Sequence, residues 1–216
     1  EYVRKGKAAK GGLEAPMLEA MRAAKVPEWY IESCNKVQYL FPKAHAVAYV
    51  MMAYRIAYCK VHYPREFYAA YFTVRAPDFD MDHVVKGVDY MKRYIKDVYA
   101  QGYKASNRDK DTVTYLELVI EMLARGYHFL PVDIYKSDWR VYNIEDGKIR
   151  LPFSAIAGVG ENAAKQLAQA KDDGMGEFIS CDDLMARSGV GKSVVDSLRE
   201  AGALGDLPES NQISLF

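Results

Sequence analysis

The sequence is poor in the residues that build disulfides and structural metal sites. Its three cysteines, Cys34, Cys59 and Cys181, are far apart and form no C-x-x-C pair, and only four histidines accompany them. An odd number of widely spaced cysteines fits reduced, mostly buried thiols better than disulfides or a zinc site. We therefore expect no metal-binding residues in this chain.

Long apolar runs are missing as well. There is no run of about 18 apolar residues, and the first residues do not form a charged-then-apolar signal segment. We expect a cytoplasmic protein with no membrane partner. With 216 residues and 50% hydrophobic content, the chain can bury a core as one or two domains.

Net charge is also absent, but the balance hides an asymmetry along the chain. Residues 1–65 carry 11 Lys and Arg against 5 Glu, whereas residues 66–216 carry 18 against 24 acidic residues. A basic first third is suggestive of an anionic partner such as nucleic acid. The chain begins without methionine, at Glu1-Tyr2-Val3-Arg4, and we expect it to be a segment of a longer protein.

The stretch LMARSGVGKSVV, residues 184–195, contains Gly191-Lys192-Ser193. The same three residue types end the phosphate-binding loop of ATP-binding proteins. That loop requires a glycine five positions before Gly191 and a preceding β-strand. Ala186 occupies the glycine position, and residues 181–187 read as the first turns of a helix with an acidic start. The pattern therefore argues against a nucleotide-hydrolysing loop.

The glycine turn occurs twice, which is more informative. Gly158-Val159-Gly160 lies 31 residues before Gly189-Val190-Gly191, and both are followed by a helical run. Two short helices joined by such a turn expose main-chain N–H groups that bind a phosphate oxygen. Main-chain donors read the DNA backbone and not the bases. The tandem pattern predicts duplex DNA binding by Gly158, Val159, Gly160, Lys165, Gly189, Gly191, Lys192 and Ser193.

The rest of the chain predicts a mainly α fold with a small β-hairpin. Pro42 and Pro64 bound the longest helix, which has apolar residues on two opposite stripes and is therefore expected to be buried on both sides. Further helices are expected over residues 81–101 and 111–125. Residues 138–153 read as the hairpin, with Asp146-Gly147 as its turn.

Asp78, Asp80 and Asp82 alternate around the start of the helix predicted at Met81. Alternating carboxylates can hold the metal ions of phosphoryl transfer. Acidic residues at a helix start are more often capping groups. We favour capping.

The final residues, Gln212-Ile213-Ser214-Leu215-Phe216, combine a polar anchor with two large apolar side chains. Exposed apolar groups of this size are unfavourable unless a partner covers them. The pattern is typical of a linear peptide that fills a pocket on another protein.

Together, QISLF after a tandem helix-hairpin-helix, VRKGK at residues 3–7 and YLFPKAHAVAYVMMAYRIAYCKVHYPREFYAAYFTVRA at residues 39–76 resemble the C-family bacterial replicative DNA polymerases. The resemblance is closest to the PolC type of DNA polymerase III alpha subunit and covers essentially the whole chain. Its most specific part is F-x-K-x-H-A-x-A-Y, which runs from Phe41 to Tyr49.

The resemblance implies three parts of a polymerase C-terminus: residues 1–135 from the fingers, residues 136–205 with the hairpin and the tandem helix-hairpin-helix, and residues 206–216 as linker and clamp-binding peptide. It implies primer-template duplex DNA, an incoming dNTP, the sliding clamp (beta subunit) and the remaining polymerase domains as partners, at a replisome in the bacterial nucleoid. The candidate nucleotide contacts are Arg4, Lys5, Lys7, Phe41, Lys43, His45 and Tyr49. The candidate clamp contacts are Gln212, Ile213, Leu215 and Phe216.

In that family the catalytic carboxylates and their Mg²⁺ lie in the palm, which this sequence lacks, so we expect no catalytic residue here. Lys43 and His45 could instead only cap or solvate the start of their helix. The main alternative function is a stand-alone helix-hairpin-helix DNA-binding accessory protein without polymerase activity.

Overall fold

A computed structural model describes residues 1–76 and 78–211, and it is mainly helical, as predicted. The α-helices are α1 Lys7–Gly11, α2 Ala15–Ala23, α3 Glu28–Cys34, α4 Lys43–His62, α5 Pro64–Arg75, α6 Met81–Val85, α7 Val88–Gln101, α8 Asn107–Ala124, α9 Glu161–Lys171, α10 Cys181–Ser188 and α11 Lys192–Glu200. Short 3-10 helices occupy Gly102–Lys104 and Phe153–Ala155. The strands are β1 Phe129–Leu130, β2 Asn143–Glu145 and β3 Lys148–Arg150.

Contacts divide the chain into two compact units, Glu1–Tyr58 and Cys59–Phe216. The division falls inside α4 and not at residue 135, where the sequence suggested a functional boundary; the three functional parts stay predictions. In the first unit α1 and α3 supply the buried residues Ala8, Ile31 and Cys34. The second unit has a larger core, running from Tyr68 on α5 to Leu207.

The predicted hairpin is confirmed and forms part of a three-stranded sheet. Ile144 of β2 pairs with Ile149 of β3 in antiparallel register. Asp146 and Gly147 join the strands with φ of 49° and 75°, because a two-residue turn that matches the strand twist needs positive φ at both positions. β1 adds to the other edge of β3 in parallel, with Phe129 opposite Ile149.

Two helix predictions need correction. The helix expected over residues 81–101 is two helices, because Gly87 adopts φ 87° between α6 and α7. Helix α4 has the predicted bounds but none of its residues is buried: Tyr49 and Tyr54 are 67% and 76% exposed. Nothing in the described residues covers either apolar stripe of α4.

Two of the three cysteines are buried, in line with the expectation of mostly buried thiols. Cys34 and Cys181 are buried free thiols, whereas Cys59 is exposed. None of the helices within residues 1–76 and 78–211 has the length and hydropathy that crossing a bilayer requires.

Candidate nucleic-acid interface and nucleotide site

The two glycine turns have the same backbone geometry. The first glycine of each turn is left-handed, with φ 86° at Gly158 and 74° at Gly189. The second is extended, with φ −69° and ψ 165° at Gly160 and φ −78° and ψ 163° at Gly191. In both turns the central valine, Val159 or Val190, is buried between exposed glycines. The side chain anchors the turn while its backbone faces outward.

Each turn leads into a helix whose first N–H groups are open. Gly160 and Gly191 are the N-caps of α9 and α11, and neither helix has a side-chain cap. The first turn of a helix lacks intrahelical acceptors for its N–H groups and carries the positive end of the helix dipole. Both sites can therefore accept an anionic oxygen such as that of a phosphate.

The two hairpins also pack against each other reciprocally. A Cβ added at Gly158 would lie 2.9 Å from Oγ of Ser197 on α11, and one added at Gly189 would lie 4.0 Å from Nε2 of Gln166 on α9. Ser197 and Gln166 are both the sixth residue of their helix, and they are 31 residues apart, as are the two glycines. The hairpins are therefore related by an approximate two-fold symmetry.

The first hairpin departs from the expected form on its N-terminal side. The helix before Gly158 is reduced to the 3-10 turn Phe153–Ala155, whereas the second hairpin has the full α10. The reason is local, since Pro152 directly precedes the turn and β3 ends at Arg150. The buried residues Phe153 and Ala155 still supply the apolar contacts that hold the turn.

The charges at the two sites differ. Lys165 on α9 pairs with Glu161 at 2.5 Å, and its Nζ lies 4.6 Å from the centre of the Trp139 ring. Lys192 and Ser193 begin α11 on the exposed surface, and that first turn has no acidic residue. Within the described residues no carboxylate pairs with Lys192. The second site is therefore the more electropositive of the two.

Arg187 fixes the segment that connects the hairpins. Its side chain is 8% exposed and binds both carboxylate oxygens of Asp173, at 2.7 and 2.9 Å. It also donates to the carbonyls of Ala170 and Gly176, and its guanidinium lies 4.3 Å from the centre of the Phe178 ring. Sequence reasoning missed this residue, because a single arginine near the end of a helix usually interacts with solvent.

Replacing Arg187 by alanine should lower the thermal midpoint of unfolding by several degrees at neutral pH. Hydrogen bonds from Arg187 hold the pKa of Asp173 below its ordinary value. A carboxylate with a lowered pKa stabilises the fold above its unfolded pKa, near 4, and this stabilisation is lost as the pH falls through the folded pKa.

The difference between wild type and Arg187→Ala should accordingly shrink in acid, measured by circular dichroism melts over a pH series. Arg199→Ala is the control, because Arg199 is more exposed and pairs with the exposed Glu209. An equal loss in both variants would show that Arg187 has no special role in fixing the segment.

In the first unit, several predicted nucleotide residues form one continuous surface. Phe41 lies 4.7 Å from His45, which lies 4.4 Å from Tyr49, between ring centres. Tyr39 extends this row, 5.4 Å from Phe41, and its hydroxyl accepts a hydrogen bond from Arg4 at 3.2 Å. Tyr39 was not among the predicted contacts, although it lies only two residues before the motif. The structure thus brings Arg4, Phe41, His45 and Tyr49 together.

The remaining predicted cations are less closely joined. Glu1 forms ion pairs with Arg4 and Lys5 at 2.8 and 3.0 Å, and hydrogen bonds from these two residues lower the pKa of Glu1 to about 2. Lys7 lies over the Tyr2 ring at 6.0 Å. Lys43 is the first residue of α4. Within the described residues, no cation–π contact joins Lys5, Lys7 or Lys43 to the aromatic row.

One of the three alternating carboxylates, Asp80, caps a helix, as favoured from the sequence. Asp80 is the N-cap of α6, and its side chain accepts a hydrogen bond from the backbone N–H of Asp82 at 2.9 Å. Among residues 1–76 and 78–211, no three His, Cys, Asp or Glu side chains are grouped so as to hold a metal ion. These residues do not fit a magnesium site. The predicted clamp contacts Gln212, Ile213, Leu215 and Phe216 lie outside the described residues.

Residues 126–213 match the helix-hairpin-helix motif family, which confirms the predicted helix-hairpin-helix fold. Over all 216 residues the chain is 51% identical to a DNA polymerase III PolC-type from Listeria welshimeri, 47% to one from Bacillus subtilis and 46% to one from Thermotoga maritima. The resemblance to the PolC type is therefore confirmed. The chain spans 14 to 15% of the length of these relatives.

Proposed function

We propose that this chain is the part of a bacterial replicative DNA-directed DNA polymerase that holds duplex DNA, an incoming nucleotide and the sliding clamp. The observation that carries the duplex assignment is the reciprocal pair of glycine turns, which presents two open helix N-termini. The similarity to PolC-type polymerases, which extends over all 216 residues of this chain, supports the wider role.

Each hairpin would bind a backbone phosphate of the duplex. The donors are the first N–H groups of α9 and α11, so the contact is independent of sequence. Lys165 and Lys192 add cationic charge beside the two turns. Because binding releases counterions from the DNA, affinity should fall steeply with salt.

The row from Arg4 to Tyr49 would receive the incoming dNTP. The aromatic side chains Phe41 and Tyr49 suit the base or sugar, and Arg4, Lys5, Lys7, Lys43 and His45 suit the triphosphate. Phosphoryl transfer is accelerated chiefly by positioning and by stabilising charge, which cations near the triphosphate can provide. Mg²⁺ would be held by the palm of the parent chain, since the described residues offer it no site.

The exposed apolar surface of α4 favours the hypothesis that the chain is a segment of a larger protein over the hypothesis of a stand-alone accessory protein. The apolar stripes of this helix are exposed along both sides, with Val50 at 67% on one stripe and Met52 at 55% on the other. Apolar surface of this extent is unfavourable in water unless another surface covers it. In our proposal the other domains of the polymerase cover it.

The duplex assignment is tested by two substitutions at one position. Lys192→Ala removes the side-chain charge and should make the negative slope of log affinity against log salt shallower by about 0.9. Lys192→Pro removes the N–H as well; proline is tolerated at the first helical position, and Gly191 already has the extended backbone that a following proline requires. The lost charged hydrogen bond should weaken duplex binding about tenfold beyond the alanine variant.

Binding is measured by fluorescence anisotropy with a labelled duplex over a salt series. Lys148→Ala on the exposed face of β3 is the control for loss of one positive charge. If Lys192→Ala and Lys192→Pro bind no worse than this control, the second hairpin does not hold a phosphate.

A further inference from the structure

A compact basic segment lies within the acidic part of the chain. Residues 86–110 carry seven Lys and Arg against three Asp, a net charge of +4. Residues 66–216 as a whole carry −6, so the residues outside the segment carry −10. The two glycine turns lie outside it, and neither the hairpins nor the nucleotide row accounts for it.

The helix α7 places part of this charge on one face. Lys92, Lys96 and Tyr99 follow one another at spacings of four and three residues, so they share a stripe. The buried residues Met91 and Val98 lie on the other side of α7, against α8. The 3-10 turn that follows adds Tyr103 and Lys104. We call these five residues the basic face.

The cations of the basic face are available to a partner. Among the described residues, no carboxylate lies within ion-pair distance of Lys92, Lys96 or Lys104, although Asp89 and Asp97 are on the same helix. By contrast, Lys60 and Lys136 of the same unit each have a carboxylate within about 3 Å. With a rise of 1.5 Å per residue, the two helical lysines stand about 6 Å apart along the axis.

The aromatic residues of the basic face are unusually exposed. Tyr103 is 89% exposed and Tyr99 is 62% exposed, with the Tyr99 hydroxyl donating to Glu117 at 2.8 Å. A large ring in water is unfavourable, and its faces are free to stack. Nucleobases stack on aromatic side chains when they are unpaired, whereas bases within a duplex are already stacked.

We propose that the basic face binds an unpaired DNA strand, with Lys92, Lys96 and Lys104 against successive phosphates and Tyr99 and Tyr103 against bases. Cations interleaved with aromatic rings match such a strand, because both its charge and its bases are accessible. A duplex could contact the lysines through its phosphates, but its bases are already stacked on each other and would not stack on the tyrosine rings. That the partner is DNA rests on the proposed function; the binding site itself is separate from the hairpins.

The test compares single-stranded and duplex DNA on the whole chain. Lys92→Gln with Lys96→Gln should weaken binding of a short labelled oligothymidylate several-fold. It should also make the negative slope of log affinity against log salt shallower by about 1.4, which corresponds to two phosphates of a single strand. Tyr103→Ala should weaken it at least about fivefold without changing the slope. Neither variant should change duplex affinity by more than about twofold.

The matched control is Lys136→Gln with Lys148→Gln, which removes the same charge elsewhere on the surface. Lys148 begins β3, and Lys136 lies in the loop before β2. Equal loss of single-strand binding in this control would overturn the proposal, as would equal weakening of duplex and single strand by the α7 variant. Lys192→Ala reports on the hairpins in the same assay. If it leaves duplex binding intact while the α7 variant loses single-strand binding, the assignment of the second hairpin fails and the basic face stands.

Discussion

Replacing Gly6 by alanine is expected to destabilise the first unit by about 3 kcal/mol or more. A Cβ at this position would lie 2.0 Å from the carbonyl oxygen of Gln38, and Gly6 has φ 71°. The left-handed backbone alone disfavours alanine by roughly 1–2 kcal/mol. The contact adds more, because the obstructing atom is main chain and cannot rotate away.

The clash falls where two parts of the proposed nucleotide site meet. The carbonyl of Arg4 accepts a hydrogen bond from the N–H of Leu40 at 3.0 Å, and Arg4 also reaches Tyr39. Alanine at position 6 would push the segment of residues 38–41 away from residues 4–7. Since the hydrophobic core of this unit is small, with four buried residues, little else would restore the arrangement.

Thermal unfolding of the whole chain measures the effect, and the matched control is Gly11→Ala. Gly11 is in α1, has ordinary φ and would place its Cβ in open space, so alanine there should be neutral or slightly stabilising. A Gly6→Ala variant as stable as the Gly11→Ala variant would show that residues 4–7 do not pack against residues 38–41, and the proposed nucleotide row would lose Arg4.

The sequence predicted those features that depend on local rules. Positive φ at Asp146-Gly147, the cap at Asp80 and the paired glycine turns each follow from residue types within a few positions, and each is confirmed. The strand β1 was missed, because two residues have no detectable alternation and their pairing with β3 depends on residues about 20 positions away. The reciprocal contacts of Gly158 and Gly189 were missed for the same reason.

Helix α4 shows a different limit. Its two apolar stripes predicted burial on both sides, and the stripes are present, but the described residues leave them exposed. The distribution of apolar residues around a helix reflects all the surfaces that contact the helix in the complete protein. In our proposal some of those surfaces belong to the rest of the polymerase, since the chain spans 14% of the length of a PolC-type relative.

Deleting Gln212 to Phe216 is expected to abolish binding to a bacterial sliding clamp while leaving duplex affinity unchanged. The loss should be complete, because a linear peptide concentrates its binding energy in a few anchor residues, here Gln212, Leu215 and Phe216. Calorimetric titration of the intact and shortened chains into the clamp measures it directly. Clamp binding that survives the deletion would contradict the assignment of the peptide.

Duplex affinity should survive because the residues just before the deletion remain anchored to the second hairpin. The N–H groups of Cys181 and Asp182 at the start of α10 donate to the carbonyls of Pro208 and Glu209, and the Ser180 hydroxyl donates to the Asn211 side chain. The deletion removes none of these groups. In our proposal the peptide is attached at a fixed point of the domain that binds the duplex, so a bound clamp would be held at high effective concentration beside the DNA. A shortened chain that also lost duplex affinity would show instead that the final residues support the hairpins.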